Sequence, residues 1–152
     1  MDSFRAFRID EKDGSIVAGF QDLTLYDLTE GNVVVRVTHS TINYKDALAA
    51  TGKGRILRRY PLNGGIDFAG VVVSSEDAGF QPGAEVLMNG CGLSEIFDGG
   101  YSEYARVDSN GLVPRPEGIS RADAMRIGTA GYTAALAIHR MEQNGQAPEL
   151  GP

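Results

Sequence analysis

A chain of 152 residues with 42% hydrophobic and 22% charged side chains holds enough sequence for one globular domain and is too apolar to be disordered. Fourteen Lys and Arg against 20 Asp and Glu give a net charge of −6, which makes a phosphate backbone a poor partner, so no nucleic acid is expected. The single cysteine, Cys91, excludes an intrachain disulfide, and no apolar run nears the roughly 18 residues of a membrane span. With no basic-then-apolar leader at Met1–Arg5, the expectation is a cytoplasmic protein without a membrane partner.

Strand signals dominate the first 115 residues. Phe4–Ile9 predicts a first strand and Ile16–Leu25 a less regular second one. Asn32–Ile42 is the strongest, because Val33, Val34, Val35 and Val37 are β-branched and Gly31-Asn32 supplies a turn before them. Tyr44–Ala50 predicts a short helix stopped by Gly52. Phe68–Ser75 predicts the next strand. Glu85–Met88 follows the turn pair Pro82-Gly83, and Tyr101–Val107 follows Gly99-Gly100. Short strands spaced in this way predict a mainly β fold with some helix, rolled and barrel-like rather than built of parallel βαβ units.

The last third reads differently. Ser120 is a good N-cap, with Asp123 at the third helical position. Thr133–Met141 then reads as a helix that is apolar almost all round and so expects cover on every side. Asn144–Pro152, polar and with two prolines, reads as a linker. The chain is thus expected to divide into a domain over residues 1–125 and a helix and linker over 126–152, with a further domain to follow.

Few residue patterns announce chemistry. The soft metal donors are Cys91, His39 and His139, without the paired spacing of a structural zinc site, so no metal is expected. No Gly-x-Ser-x-Gly elbow is present. The stretch Lys53, Arg55, Arg58 and Arg59 stands out in an acidic chain; it is either a solvated loop or an anion site for a phosphorylated ligand. No GxGxxG fingerprint lies between a strand and a helix, so these residues alone do not bind a dinucleotide in the Rossmann manner.

Five stretches together resemble the N-terminal domain of the medium-chain dehydrogenase/reductase superfamily. They are Val35–Asp46, ending in Ile-Asn-Tyr-Lys-Asp; Tyr60-Pro61 with Gly65-Ile-Asp-Phe-Ala-Gly70; Phe80-Gln-Pro-Gly-Ala-Glu-Val86; Gly99-Gly-Tyr-Ser-Glu-Tyr-Ala105; and Ala124–Ala134, with Gly-Thr-Ala-Gly-Tyr-Thr-Ala. The first and last are most similar to the acryloyl-CoA reductase branch, grouped also with quinone oxidoreductases. This resemblance implies a GroES-like rolled β-barrel carrying most of the active site, with a Rossmann domain binding NADPH beyond Pro152. It also implies a homodimeric full-length form, and little or no activity for these residues alone.

The resemblance further implies chemistry without zinc. Where zinc-dependent relatives carry a Cys, this chain has Asn43; where they carry a His-Glu pair, it has Ile66-Asp67. Hydride transfer to an activated alkene then requires preorganised donors at the developing enolate. By the same resemblance Asn43, Tyr44 and Lys45 line the nicotinamide end of the cleft, with Lys45 or the Tyr44 hydroxyl orienting cofactor or polarising substrate. Thr129 and Thr133 are expected cofactor contacts. The tyrosine that related enoyl reductases use as proton donor is Gly54 here, leaving Tyr60 or water for that role. Arg55, Arg58 and Arg59 suit the phosphates of a CoA ester, with Tyr60 beside them. The alternatives are an NADPH:quinone oxidoreductase, or a stand-alone GroES-like interaction module without catalysis.

Overall fold

The computed structural model describes residues 3–150. It opens with an antiparallel hairpin of β1 (Phe4–Lys12) and β2 (Ser15–Leu23). Asp13 and Gly14 form its two-residue turn, both at positive φ, a geometry that follows the right-handed twist of the strands. β3 (Val33–Ser40) leads to α1 (Tyr44–Thr51). Then come β4 (Leu62–Asn63), β5 (Asp67–Ser75), β6 (Glu85–Asn89), β7 (Tyr104–Val107), β8 (Val113–Pro114) and α2 (Arg121–Gln143). The strands form two sheets, of order β2-β1-β4 and β7-β3-β5-β6-β8.

The two sheets roll onto one another through residues 99–103. Tyr101 N–H donates to Gly64 O (2.9 Å), while Phe7 N–H donates to Tyr101 O (2.7 Å) and Glu103 N–H to Arg5 O (3.0 Å). Three of the seven residues of the expected Tyr101–Val107 strand therefore form a crossing segment, and the ladder with β3 runs over Tyr104–Val107. The expected Ile16–Leu25 strand likewise stops at Leu23. The Asp27 carboxylate takes both the N–H and the hydroxyl of Thr24 at 2.7 Å and curls residues 25–27 into a 3-10 turn.

The main core lies on the five-stranded sheet, where Val33, Val35, Phe68, Val72, Val86, Met88, Ala105 and Val107 pack together. A smaller cluster of Ile9, Ala49, Leu57 and Leu62 fastens α1 to the three-stranded sheet. β5 is buried along its first half, Asp67–Gly70, because β3 and β6 pair on its flanks and α2 packs across it. That covering brings polar side chains from several elements to the N-terminal end of β5.

Ser120 caps α2, its hydroxyl accepting the Asp123 N–H at 3.1 Å. The helix runs to Gln143 but breaks at Gly128 (φ 51°, ψ −165°). Before the break Ala124 and Met125 are buried; beyond it Tyr132, Leu136, Ile138 and Met141 are exposed. The cover that an all-round apolar helix expects is not supplied by any described residue. Of the expected linker, Pro148–Leu150 forms a 3-10 turn, and Gly151 and Pro152 lie outside the described residues. Among the described residues no helix is long and apolar enough to cross a membrane.

Glu85 at the start of β6 joins the strand edge to α2. It bonds the Arg115 guanidinium and lies 3.4 Å from Arg121 Nε. The bond to Arg115 holds its carboxyl below the usual range. A depressed folded-state value stabilises the fold above the ordinary glutamate pKa of about 4.3 and loses that contribution as the pH falls through the lower value. Glu85→Gln is therefore expected to flatten the acid limb of the stability–pH curve below about pH 4 and leave its slope near neutrality unchanged. Denaturant midpoints measured across that range check it.

Candidate active site

Asn43 sits in extended conformation (φ −109°, ψ 159°) at the start of α1, where an asparagine suits the unpaired N–H groups of a helix end. Asp46, three residues on and buried, accepts the Asn43 backbone N–H at 2.8 Å and its Nδ2 at 3.2 Å. The other Asp46 oxygen takes the N–H of Ile66 at 3.0 Å. The start of α1 is thereby tied to the residue before β5.

Asp67, the first residue of β5, is fully buried. Its carboxylate accepts Asn43 Nδ2 (2.8 Å), Asn89 Nδ2 (2.7 Å), Thr129 N–H (3.2 Å) and Thr129 Oγ1 (2.5 Å). Thr129 follows the break at Gly128. A Cβ on Gly128 would lie 2.9 Å from Thr41 Cγ2 and 3.2 Å from Asp67 Oδ2, so both its positive φ and its close approach to β5 require glycine. Tyr101 closes the cluster by donating its hydroxyl to Thr41 O at 2.9 Å. Burial, and then the carboxylates of Asp46 and Asp67, push the Tyr101 hydroxyl well above the ordinary tyrosine range, so it stays protonated.

Beside this cluster lies an open groove of about 580 Å³ walled by Phe7, Phe20, Val37, Ile42 and Tyr101, with the Arg5 guanidinium 4.8 Å over the Phe20 ring. Ile42 and Tyr44 are 84% and 80% exposed. The groove meets the cluster at Tyr101, whose ring lines the groove and whose hydroxyl is held on Thr41.

The remaining expected site residues form a second group. Lys45 Nζ pairs with Glu95 Oε2 at 3.0 Å, and the exposed Arg58 lies 3.5 Å from Glu95 Oε1. Arg55, Arg58 and Tyr60 line one shallow groove of about 390 Å³ with Glu11, while Arg59 is exposed outside it. Two carboxylates therefore temper the basic stretch. Thr133 is exposed one turn beyond Thr129 and donates its hydroxyl to Thr129 O at 2.8 Å. Hence Asn43 and Thr129 meet on Asp67, Lys45 and Arg58 meet on Glu95, and Tyr44 stands free in solvent.

The sequence patterns do not mark Asp46, Asp67, Asn89 and Tyr101 as site residues. The spacing Asn43-x-x-Asp46 is the signature of a helix start and marks Asp46. Asp67 and Tyr101 lie within the family-like motifs, but nothing local shows that they are buried; Asn89 carries no signal at all. Among the described residues no three His, Cys, Asp or Glu side chains converge as a metal-ligand set.

Residues 29–117 match the family model of the alcohol dehydrogenase GroES-like domain. The acrylyl-CoA reductase AcuI of Ruegeria pomeroyi is 45% identical over 143 residues, 94% of this chain and 43% of the relative. The Bacillus subtilis protein YhfP, provisionally named a quinone oxidoreductase, is 45% identical over 148 residues, 97% of this chain and 45% of the relative. The crystal structure of the yhdH oxidoreductase from Salmonella enterica in complex with NADP superposes with a TM-score of 0.93 at 47% identity, covering 95% of this chain and 45% of that one. The chain thus spans a little under half the length of these relatives.

Proposed function

The chain belongs to the medium-chain dehydrogenase/reductase superfamily and carries its alcohol dehydrogenase GroES-like domain, and from that membership we propose that it is the catalytic domain of a zinc-free, NADPH-dependent reductase acting on the C=C bond of a small acyl-CoA such as acryloyl-CoA. The observation that carries the reading is the 45% identity to an acrylyl-CoA reductase over 94% of this chain. Residues 1–125 form this domain, and 126–152 lead towards the nucleotide-binding half.

Bound NADPH would supply the hydride that reaches the β-carbon. Asn43, Tyr44, Lys45, Thr129 and Thr133 would hold it: the exposed Tyr44 beside the fixed Asn43–Thr129 pair suits an amide-bearing ring. Negative charge then develops on the thioester oxygen, and Tyr44 or Lys45 donates to it. A single well-placed donor of this kind is worth about 3 kcal/mol. Lys45 is steadied for the task by Glu95. The α-carbon receives its proton from Tyr60 or water; Tyr101, with its raised pKa and its hydroxyl engaged on Thr41, is a poor acid.

Metal plays no part in this reading. Asn43 turns an N–H towards Asp67, the Asp67 carboxylate is taken up by four donors, and Ile66 has no ligating side-chain atom, so the residues at these places do not suit a zinc ion. The phosphates of the CoA ester would lie against Arg55, Arg58 and Arg59, with Tyr60 at the edge of the same groove.

The test is chelator-insensitive oxidation of NADPH by acryloyl-CoA, catalysed by a protein that joins this domain to its nucleotide-binding half. Reversing charge at Arg58 and Arg59 is expected to raise the KM for acryloyl-CoA by about 10-fold, or about 1.4 kcal/mol, with little change in kcat. An unchanged KM would remove these residues from the substrate site. Turnover of quinones but not of acyl-CoA esters would favour the second reading, a quinone reductase, which the similarity to YhfP supports. Absence of NADPH binding by the folded protein would favour a GroES-like interaction module.

A further inference from the structure

We propose that Asp67 is a positioning residue: it locks the amide of Asn43 so that this side chain faces the cofactor as a hydrogen-bond acceptor only, and it pins Thr129 to the same carboxylate. The proposal rests on the reading that Asn43 and Thr129 face the nicotinamide.

The first step is a count of donors. Asn43 Nδ2 carries two hydrogens. One points at Asp46 Oδ2 (3.2 Å) and one at Asp67 Oδ2 (2.8 Å). Both donors are spent on buried carboxylates, so Oδ1, which lies on the Asp46 N–H side of the capping box, is the only polar atom of the side chain left to offer, and it can only accept. Turning the amide over would set Oδ1 against two carboxylate oxygens, so the orientation is fixed by chemistry. Asn43 therefore accepts, for example from the N–H₂ of a carboxamide, and does not stabilise an enolate oxygen. That task falls to Tyr44 or Lys45.

The second step concerns what Asp67 adds to the fold. Asp46 already ties the start of α1 to Ile66. Asp67 gathers the side chains of Asn43 and Asn89 and both polar groups of Thr129, with no cation on its carboxylate among the described residues. Each carboxylate oxygen accepts two of these bonds, Oδ2 from Asn43 Nδ2 and Thr129 N–H and Oδ1 from Asn89 Nδ2 and Thr129 Oγ1. The four bonds thus set the position of Asn43 relative to Thr129, which belong to different helices. Gly128 breaks α2 just before Thr129, and among the described residues the bonds to Thr129 are the polar contacts that tie the second part of α2 to β5.

Asp67→Asn keeps the shape but cannot accept at both ends of the side chain. In this chain, amide exchange measured by NMR is expected to quicken by about 10-fold at Thr129 and at the Asn43 carboxamide, while β3 and β5 keep their protection. Unchanged exchange at both would overturn the proposal. Should Asp67→Asn not fold, Thr129→Val removes one donor and leaves the carboxylate in place. It is expected to quicken exchange from Gly128 to Thr133, and protection equal to wild type there would overturn the pinning of α2.

In the NADPH-dependent holoenzyme, Asp67→Asn is expected to lower kcat about 100-fold and to leave the KM for acyl-CoA within about 2-fold. A lower melting temperature with unchanged kcat in the folded protein would make Asp67 merely structural and overturn the proposal. If wild-type holoenzyme shows no turnover at all, the proposed function falls, and the exchange measurements still decide the role of Asp67 in the fold.

Discussion

Asp98→Ala is expected to lower the stability of the fold by about 3–5 kcal/mol, a large part of the roughly 5–15 kcal/mol that holds a domain together. Asp98 and Arg8 form an ion pair at 2.6 Å, with side chains 1% and 9% exposed. The same carboxylate accepts the N–H of Asn63 (2.7 Å) and of Thr29 (2.7 Å). Three segments distant in sequence meet on it: β1, the β4 edge, and the loop before β3. Truncation leaves a guanidinium and two backbone N–H groups buried with fewer partners, each of which costs more than the lost attraction itself. Denaturant unfolding of the variant measures the loss.

The companion variant Arg8→Met with Asp98→Ala separates the parts. It removes the stranded guanidinium but not the stranded N–H groups, so it is expected to recover part of the stability and not all of it. A loss below about 1 kcal/mol for Asp98→Ala alone would mean that water reaches Arg8 readily.

The second large effect is expected at Gly99. A Cβ there would lie 2.3 Å from the carbonyl oxygens of both Gly64 and Gly65. These oxygens belong to the backbone that bonds residues 100 and 101 to residues 64 and 65, the seam on which the two sheets roll together. No flexible side chain can yield, so the seam itself must open. Gly99→Ala is expected to destabilise by about 3 kcal/mol or more and to lower the melting temperature by about 10 °C. Gly19→Ala on β2 is the control: no atom lies within 4 Å of its Cβ, and the change is expected to stay within about 0.5 kcal/mol. Equal stability of the two variants would show that the seam has slack.

These two sites explain why a reading of the sequence succeeds in some places and stops in others. The valines of β3, the Pro82-Gly83 turn before β6, the Gly52 stop of α1 and the Ser120 cap of α2 are local signals. Each acts through its own residue or its immediate neighbours, and each element formed where its signal stood, to within a few residues. Family membership was legible for the same reason, since five motifs in order need no knowledge of contacts. Asn43 and Thr129 were legible through the motifs that contain them.

Tertiary structure alone decided the rest. Asp98 reads as one acidic residue among 20 and Asp67 as one position of a motif, and only burial distinguishes either from a solvated carboxylate. Asn89 carries no local mark, yet its register opposite Asp67 places it on the carboxylate. The basic stretch Lys53–Arg59 was visible, but its partner Glu95 lies some forty residues on and reaches it only after folding. A covalent chain displays which groups are present and which are adjacent. Where a carboxylate finds its donors depends on strand register and helix packing, and those follow from burying the whole core at once.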